Sequence, residues 1–381
     1  MEERAYWVAW LQVNGVGPIL LRRLDRHFGN LGVAWEASPA ELGQVEGLGD
    51  IKIESIVRER ANLNPERLYR QHGDKNPQFW TPVDPEYPRL LLETPSPPPI
   101  LYYQGNVEPQ ENTGVIPSVA IVGTRHPTEY GRRWTRRLSA VLAQRGLTIV
   151  SGMAAGIDSE AHRACLEVGG RTVAVLGTGV DVVYPARNRS LYDRILECGL
   201  VLSEYPRGTK PDRTHFPQRN RIVAGLSRAT IVTEAPTKSG ALITAYIAND
   251  FGRDIYALPG SLDNENALGC LGLLSRGAQV ILGEGQLLEM LGELPSVDTA
   301  KSAKSPPSHP STVPNATPSP TIDLEPELDR VLQAVPREPT IFDAIVQTAQ
   351  MDAGTISGAL IQLELLGLVS QQPGMRYQRI G

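Results

Sequence analysis

Through the centre of the chain, short runs of consecutive apolar residues alternate with longer stretches whose apolar residues follow a helical period. The apolar runs predict strands at 119–123, 148–151, 172–176, 200–203, 230–233, 254–257 and 278–282. The stretches between them predict helices at 127–144, 159–168, 190–197, 218–226, 241–251 and 268–274. Continuous apolar strands that alternate with helices are typical of a mostly parallel sheet covered on both faces. The pattern therefore predicts an α/β core.

The N-terminal part contains two similar turn signals with the order apolar, Gly, apolar, Gly, at 13–18 and 45–49. Each leads into a stretch of helical spacing, at 19–28 and 51–60. This arrangement resembles the helix-hairpin-helix motif, in which glycines allow a tight turn and the N–H groups of the next helix can hold a phosphate. Arg22, Arg23 and Arg26 follow the first turn, whereas Asp50 and Glu54 follow the second. A DNA contact and a plain helical-bundle turn both remain open.

The C-terminal part predicts three helices, at 328–334, 341–347 and 355–366, followed by a small hairpin. This order is the winged-helix pattern. The stretch 355–366 is the candidate recognition helix, and it contains no Lys or Arg. Because a helix that reads DNA needs cations against the phosphates, the pattern favours an interaction module over a DNA reader.

A segment rich in Pro, Ser and Thr at 295–320 marks the clearest domain boundary. Such a composition buries too little apolar surface to offset the entropy of ordering, and it predicts a disordered tether. We therefore divide the chain into a helical piece (1–76), a central core (77–294), a linker (295–324) and a winged-helix-like piece (325–381).

The composition adds constraints on chemistry and location. The chain has 381 residues and a formal net charge of −5, so no overall basic field indicates a nucleic-acid partner. Its three cysteines have no paired spacing and predict buried free thiols rather than a disulfide framework or a zinc site. The chain shows neither a secretory signal nor an apolar run long enough to span a membrane. We expect a soluble, cytoplasmic protein without a metal or cofactor.

Small residues follow five of the predicted strands, at 123–125, 151–158, 177–179, 237–241 and 259–260. Ligands of open parallel sheets bind at the carboxyl ends of the strands, where backbone N–H groups and helix N-termini favour anions. Neither a Walker A motif nor a G-x-G-x-x-G motif occurs, which weighs against mononucleotide hydrolysis and dinucleotide binding.

Cations at these strand ends indicate an anionic ligand. Arg125, Arg219, Arg221 and Lys238 are the best candidates, because loops at strand ends would direct them to one crevice. The arginines at 132, 133, 136 and 137 fall on a predicted helix and are interpreted as solvated.

Three further side chains have two interpretations each. Phe216 either stacks on a base or belongs to the core. Asp158 and His162 lie four residues apart and suggest an acid–base pair, but we prefer a helix cap for Asp158 and a packed His162. His215 lacks spaced Cys or His partners, so a metal role is not expected.

Several ordered strings resemble the DprA/Smf family of DNA-processing, or DNA-protecting, proteins of bacterial natural transformation. The strings are DPEYPRL at 84–90, AIVGTR at 120–125, SGMAAGIDSEAH at 151–162, FPQRNRI at 216–222, KSGALITA at 238–245 and ALPG at 257–260. They occur in the family's order over about 84–282. The long Pro/Ser linker departs from the family pattern.

The resemblance implies an extended Rossmann-like core that binds single-stranded DNA, protects incoming strands and recruits the recombinase RecA. It also implies a homodimer formed near 268–291. In the family, the arginine and the lysine of the matching strings line the DNA pocket, which here implies Arg125 and Lys238. The predicted DNA-binding residues are Gly123, Thr124, Arg125, Phe216, Arg219, Asn220, Arg221, Lys238, Ser239 and Gly240.

The leading hypothesis is thus a non-enzymatic strand-binding protein that loads RecA. An alternative is a nucleotide or nucleoside-phosphate hydrolase that uses the same glycine-rich loops, with Glu234 or Asp158 as acid or base. A third hypothesis is a protein scaffold.

Overall fold

The structure, a computed structural model, describes residues 2–292, 326–337, 340–351, 353–365, 368–372 and 376–379. The chain divides into two compact units, one on each side of the predicted linker. The linker at 295–324 lies outside the described residues. None of the helices in the described ranges is both long and apolar enough to cross a bilayer.

Six helices form the N-terminal part of the first unit, and they surround a core of tryptophan, leucine and valine side chains. They are α1 (Glu3–Trp10), α2 (Pro18–Phe28), α3 (Leu31–Glu36), α4 (Pro39–Leu42), α5 (Asp50–Arg60) and α6 (Pro65–Lys75). Both predicted turns are present, with Gly15 and Gly47 at φ +74° and +85°, a conformation that favours glycine. Arg22 donates to the carbonyls of Leu92 and Thr94, so this cation contacts the following chain.

The rest of the first unit is built on a nine-stranded sheet of order β1-β2-β6-β5-β4-β3-β7-β8-β9. Its strands are β1 (Phe79–Trp80), β2 (Leu101–Gly105), β3 (Ser118–Val122), β4 (Thr148–Ser151), β5 (Thr172–Leu176), β6 (Leu200–Ser203), β7 (Ala229–Val232), β8 (Asp254–Ala257) and β9 (Gln279–Val280). The strands β3 to β9 are parallel, which confirms the predicted α/β class. The strands β1 and β2 extend one edge of the sheet in antiparallel pairing, and they were not predicted from the sequence.

Helices cover both faces of this sheet. They are α7 (Arg89–Leu92), α8 (Pro109–Asn112), α9 (Glu129–Gln144), α10 (Ile157–Glu167), α11 (Arg189–Cys198), α12 (His215–Leu226), α13 (Gly240–Asp250), α14 (Leu268–Leu274) and α15 (Glu284–Gly292). Alternate residues of β3 point to opposite sides, so Val122 packs in one apolar cluster and Ile121 in the other. The chain order reverses between β3 and β7, which is where open α/β sheets form a ligand crevice.

The three cysteines are free, but only two of them are buried. Cys165 and Cys270 lie in the core, whereas Cys198 is exposed. The expectation of three buried thiols is therefore wrong for Cys198, which is exposed as the last residue of α11.

The described residues of the second unit form three helices and a three-stranded sheet. Its elements are α16 (Pro326–Ala334), β10 (Thr340–Ile341), α17 (Phe342–Ala349), α18 (Ala353–Leu365), β11 (Val369–Gln372) and β12 (Arg376–Arg379). The strands pair in the order β10-β12-β11. Three helices followed by a hairpin confirm the winged-helix prediction, and the short strand β10 is an addition to it.

Candidate nucleic-acid interface

Three connected cavities lie at the carboxyl ends of the central strands. The main groove, of about 610 Å³, is lined by Thr124, Arg213, Asn220, Ser239 and Gly240 among others. The aromatic pocket, of about 210 Å³, is lined by Gly177, Tyr184 and Phe216. The α10 cleft, of about 400 Å³, is lined by Gly156, Ser159 and Glu160. Arg125 lines all three cavities, and together they form one trough along this rim of the sheet.

Two glycines allow the loop after β3 to close against α10. A Cβ atom at Gly123 would lie 2.5 Å from Cγ1 of Ile157 and 2.7 Å from the carbonyl oxygen of Glu234. Gly156 has φ +84° and immediately precedes α10. The N–H of Thr124 donates to the carbonyl of Glu234, and the N–H of Ile157 donates to the carbonyl of Thr124. These contacts fix the backbone from which Arg125 projects.

Arg125 is the cation best placed to meet an anion. Its side chain is exposed, and it forms no ion pair with any residue that the structure describes. Its guanidinium carbon lies 5.7 Å from the ring centre of Phe216. A guanidinium beside an aromatic face can hold a phosphate while the ring supports a base.

Phe216 and Tyr184 form the aromatic wall of the trough. Their ring centres are 5.4 Å apart and the ring planes are inclined by 32°. Phe216 is partly exposed rather than buried in the core, which leaves a ring face for stacking. Tyr184 and Arg187 also line the aromatic pocket and follow β5, and neither was among the predicted site residues. The sequence signal that could have identified them is the loop after β5, which combines aromatic and basic residues at the end of a strand.

Arg219 is not the free loop cation that we expected. It lies on α12, its side chain is buried, and it donates to the carbonyls of Gly152 and Val175. Burial lowers the pKa of its guanidinium to about 10. These two carbonyls lie at the carboxyl ends of β4 and β5, so Arg219 joins neighbouring strand ends. It also lines the main groove and the aromatic pocket, as a buried part of their wall.

Arg221 also departs from the expectation. It lies on α12 as well, forms an ion pair with Glu204 and does not line the trough. Its neighbour Asn220 does line the main groove and donates to the carbonyl of Gly240 at 3.2 Å.

The loop before α13 contributes backbone and side chain to the main groove. Ser239 is the N-cap of α13 and accepts a hydrogen bond from the N–H of Ala241. Ser239 and Gly240 line the groove, and the helix N-terminus favours an anion there. Lys238 is exposed on the same loop, beside the groove and not in its wall.

Asp158 and His162 do not form an acid–base pair. Asp158 is the second residue of α10, so it is not the N-cap, and it accepts a hydrogen bond from the N–H of Ala154 at 3.3 Å. Burial raises the pKa of Asp158, which Arg219 partly opposes. His162 is fully buried against Thr172, as predicted, and burial lowers its pKa to about 3.

The Glu234 carboxylate is buried and fully engaged. It accepts hydrogen bonds of 2.7 Å from both the N–H and the hydroxyl of Thr128, and one of 3.0 Å from the side chain of Asn264. Thr128 is the N-cap of α9 and follows the Arg125 loop. Glu234 thus supports that loop from behind, and its carboxylate does not line the trough. Within the described ranges, no three His, Cys, Asp or Glu side chains converge as metal ligands would.

We predict that Glu234→Gln will lower the free energy of unfolding by about 1–3 kcal/mol. The amide N–H₂ group would take the place of one carboxylate oxygen, and the N–H or O–H group that donates to this oxygen would lose its acceptor. Urea denaturation measures this change. Glu129→Gln is the matched control, since Glu129 is exposed in the first turn of α9. If the parent chain hydrolyses nucleotides and a fully stable Glu234→Gln variant does not, this structural role is contradicted and the hydrolase hypothesis is favoured.

We also predict an acid sensitivity that arises from His162. Its pKa is lower in the folded chain, about 3 against 6.5, with burial as the main cause and Arg219 and Arg163 adding to it. The unfolded chain therefore binds a proton that the folded chain does not, and stability falls as the pH drops from about 6.5 towards 3. Between pH 7 and pH 5 the parent should lose about 2 kcal/mol more than His162→Gln. Urea denaturation at both pH values measures these losses. If the parent and His162→Gln lose the same stability between pH 7 and pH 5, the prediction is contradicted.

Comparison with known proteins places the chain in a family. The family model of DNA recombination-mediator protein A matches residues 78–292, and the model of the DprA winged helix domain matches residues 315–375. The protein Smf of Synechocystis sp. is 54% identical, with 99% of each chain covered.

Two solved structures are similar to the chain. The X-ray structure of DNA processing protein A from Streptococcus pneumoniae has a TM-score of 0.66 and 33% identity, covering 76% of this chain and 98% of that one. A structure that describes the single-stranded DNA binding mode of DNA processing protein A from Helicobacter pylori has a TM-score of 0.51 and 32% identity, covering 56% of this chain and 95% of that one. With the mostly parallel sheet and the winged-helix unit, these matches show that the chain belongs to the DprA/Smf family of DNA-processing proteins.

Proposed function

We propose that this chain binds single-stranded DNA without sequence preference along the trough, protects incoming strands in the cytoplasm and loads RecA onto them, without catalysing a reaction. The observation that carries this proposal is Arg125, which lies beside Phe216 where the strand order reverses and has no ion-pair partner in the part of the chain that the structure describes. The relative from Helicobacter pylori, whose single-stranded DNA binding mode has been described, supports it.

The chemistry of the trough favours a single strand over a duplex. Phosphates can meet Arg125, Arg213 and the N-terminus of α13, whereas a base can enter the aromatic pocket between Tyr184 and Phe216. A base can stack on an aromatic side chain only if its face is accessible, and in a duplex the base faces are covered by the neighbouring base pairs. We therefore propose that binding depends mainly on phosphates and stacking.

We propose that Lys238 contributes as a cation at the edge of the main groove, and that Arg219 and Arg221 contribute by supporting its walls. Lys238 is exposed within the loop that carries Ser239, so its flexible side chain can reach a phosphate that lies on the α13 N-terminus.

We propose that the chain forms a homodimer through the free edge of the sheet and the region 268–291. The strand β9 is the last in the sheet, and apolar side chains are exposed near it, with Leu282 at 73% and Ile243 and Tyr246 at 41%. Exposed apolar groups beside an unpaired strand edge are typical of a self-association surface.

An equilibrium titration of single-stranded against double-stranded oligonucleotides, at about 50 and 200 mM salt, tests the proposed function. We expect the single strand to bind more tightly at both concentrations and its affinity to fall steeply with salt. A preference for the duplex, or an affinity that does not respond to salt, would contradict the proposal. Binding to partner proteins through residues 325–381 without any strand binding would instead favour the scaffold.

A further inference from the structure

The α10 cleft holds a concentration of positive charge that the proposed function does not use. Four arginines line it, namely Arg125, Arg132, Arg163 and Arg187, together with one carboxylate, that of Glu160. Arg132 and Arg163 belong to α9 and α10, away from the main groove and the aromatic pocket.

The single carboxylate leaves most of this charge uncompensated. Glu160 accepts hydrogen bonds from Arg163 at 3.1 Å and from Arg136 at 3.2 Å, so two cations already share it. Among the described residues, Arg132 donates to the neutral carbonyl of Pro127 and to no carboxylate. Arg187 forms no ion pair with any residue in the described part of the chain. Because like charges around one cavity repel each other, this arrangement is stable only with an anion or with solvent between them.

The neighbouring arginines of α9 show a different arrangement. Arg136 pairs with Glu160 and Glu167, and Arg137 pairs with Glu284, so these side chains are bound in surface ion pairs. In the cleft, Arg163 shares Glu160, whereas Arg125, Arg132 and Arg187 face a common space without an ion pair to any described residue. The contrast indicates that the cleft is shaped for an external anion and not for a structural network.

The cleft is continuous with the proposed strand site. Arg125, Ala155 and Arg187 line both the aromatic pocket and the cleft. The N-terminal end of α10, at Gly156 and Ser159, forms part of the cleft wall and adds a partial positive charge. A strand with a base in the aromatic pocket therefore has a basic path past Arg125.

We propose that the α10 cleft is a second phosphate site for the same single strand, in which Arg132 and Arg163 bind phosphodiesters that lie beyond Arg125. This inference rests on the proposed function and deepens it. It gives the strand a path past Arg125 into the cleft, and a longer footprint than the main groove and the aromatic pocket provide. Two guanidinium groups on the packed helices α9 and α10 can each bind a phosphate of the strand.

The experiment compares the parent chain with the Arg132→Ala/Arg163→Ala variant on oligothymidylates from about 3 to about 12 nucleotides long. We expect equal affinities for the shortest oligomers, which fill only the groove and the aromatic pocket. For the longest, the variant should lose roughly tenfold in affinity, and its salt slope should fall by about 1.4 because two phosphate contacts are removed.

The matched control is Arg145→Ala/Arg194→Ala, which removes the same charge from exposed positions outside the trough. It should lose much less affinity for long oligomers than the cleft variant. Glu160→Gln provides a test of opposite sign, since removal of the only carboxylate in the cleft should strengthen the binding of long oligomers.

The second site is overturned if the cleft variant binds oligomers of every length as the parent does, or loses the same affinity at every length. It is also overturned if the control variant loses as much affinity as the cleft variant. Retained binding of the shortest oligomers shows that the variant is folded. If the parent chain binds no oligomer at all, the proposed function fails together with the second site, and this result is distinct from a failure of the cleft alone.

Discussion

Arg125→Ala will reduce the affinity for single-stranded DNA by about 30-fold at low salt. The substitution removes an unpaired cation that lines all three cavities and lies beside the Phe216 ring. A hydrogen bond to a charged group contributes about 1.5–3 kcal/mol, and every 1.4 kcal/mol is tenfold in affinity. Arg125→Lys keeps the charge but loses the planar fork and the stacking, so we expect an intermediate loss.

Fluorescence anisotropy with a labelled oligothymidylate measures this loss over a range of salt concentrations. The salt slope should fall by about 0.7 for the one phosphate contact that is removed. Arg145→Ala is the control, because Arg145 is an exposed arginine at the end of α9 and lies outside the trough. Equal affinities for the parent and Arg125→Ala would show that the strand binds elsewhere.

Arg219→Met will lower the free energy of unfolding by about 3 kcal/mol, and strand binding will weaken as a consequence. Its guanidinium is buried and donates to the carbonyls of Gly152 and Val175, which the methionine would leave without a donor. Buried Asp158 would also lose the cation that partly stabilises its charged form. Removal of one member of a buried charged set typically costs 3–5 kcal/mol.

Urea denaturation of Arg219→Met and Arg194→Met provides the comparison. Arg194 is exposed on α11, so its loss should cost little. Adding Asp158→Asn to Arg219→Met should recover part of the stability, since no buried charge then remains unpaired. If Arg219→Met loses strand affinity without any loss of stability, the residue contacts DNA directly, as the sequence analysis first expected.

The fold was largely predictable because its strands are continuous apolar runs. Strands that are buried on both faces require apolar residues at every position, as Val119 to Val122 show. The edge strands β1 and β2 give a much weaker signal. Residues 79–80 are too few for a periodic pattern, and 101–105 become a strand only by pairing with β6. Their existence depends on tertiary contacts that local sequence does not encode.

The candidate site was predictable where a residue directly follows a strand. Gly123, Thr124 and Arg125 continue β3, and the sheet geometry alone brings them to the same rim as Ser239 and Gly240.

The direction of a helical side chain is harder to predict, because it depends on the phase of the helix. Arg219 lies three, four and seven residues before the buried Ile222, Val223 and Leu226 of α12. This spacing is that of the buried face. The spacing was visible in the sequence, and it would have separated Arg219 from the free cations. Arg132 and Arg163 face one cleft only because α9 and α10 pack together, which no local pattern indicates.

Photo-crosslinking tests most directly the claim that a single strand lies in this trough. An oligomer that carries 5-iododeoxyuridine is irradiated on the full chain, and the crosslinked residues are identified by mass spectrometry. We predict crosslinks at Phe216 and Tyr184, the aromatic side chains of the trough, and their loss in Arg125→Ala. Crosslinks confined to the N-terminal turns at 13–18 and 45–49, or to the winged-helix unit, would contradict the account.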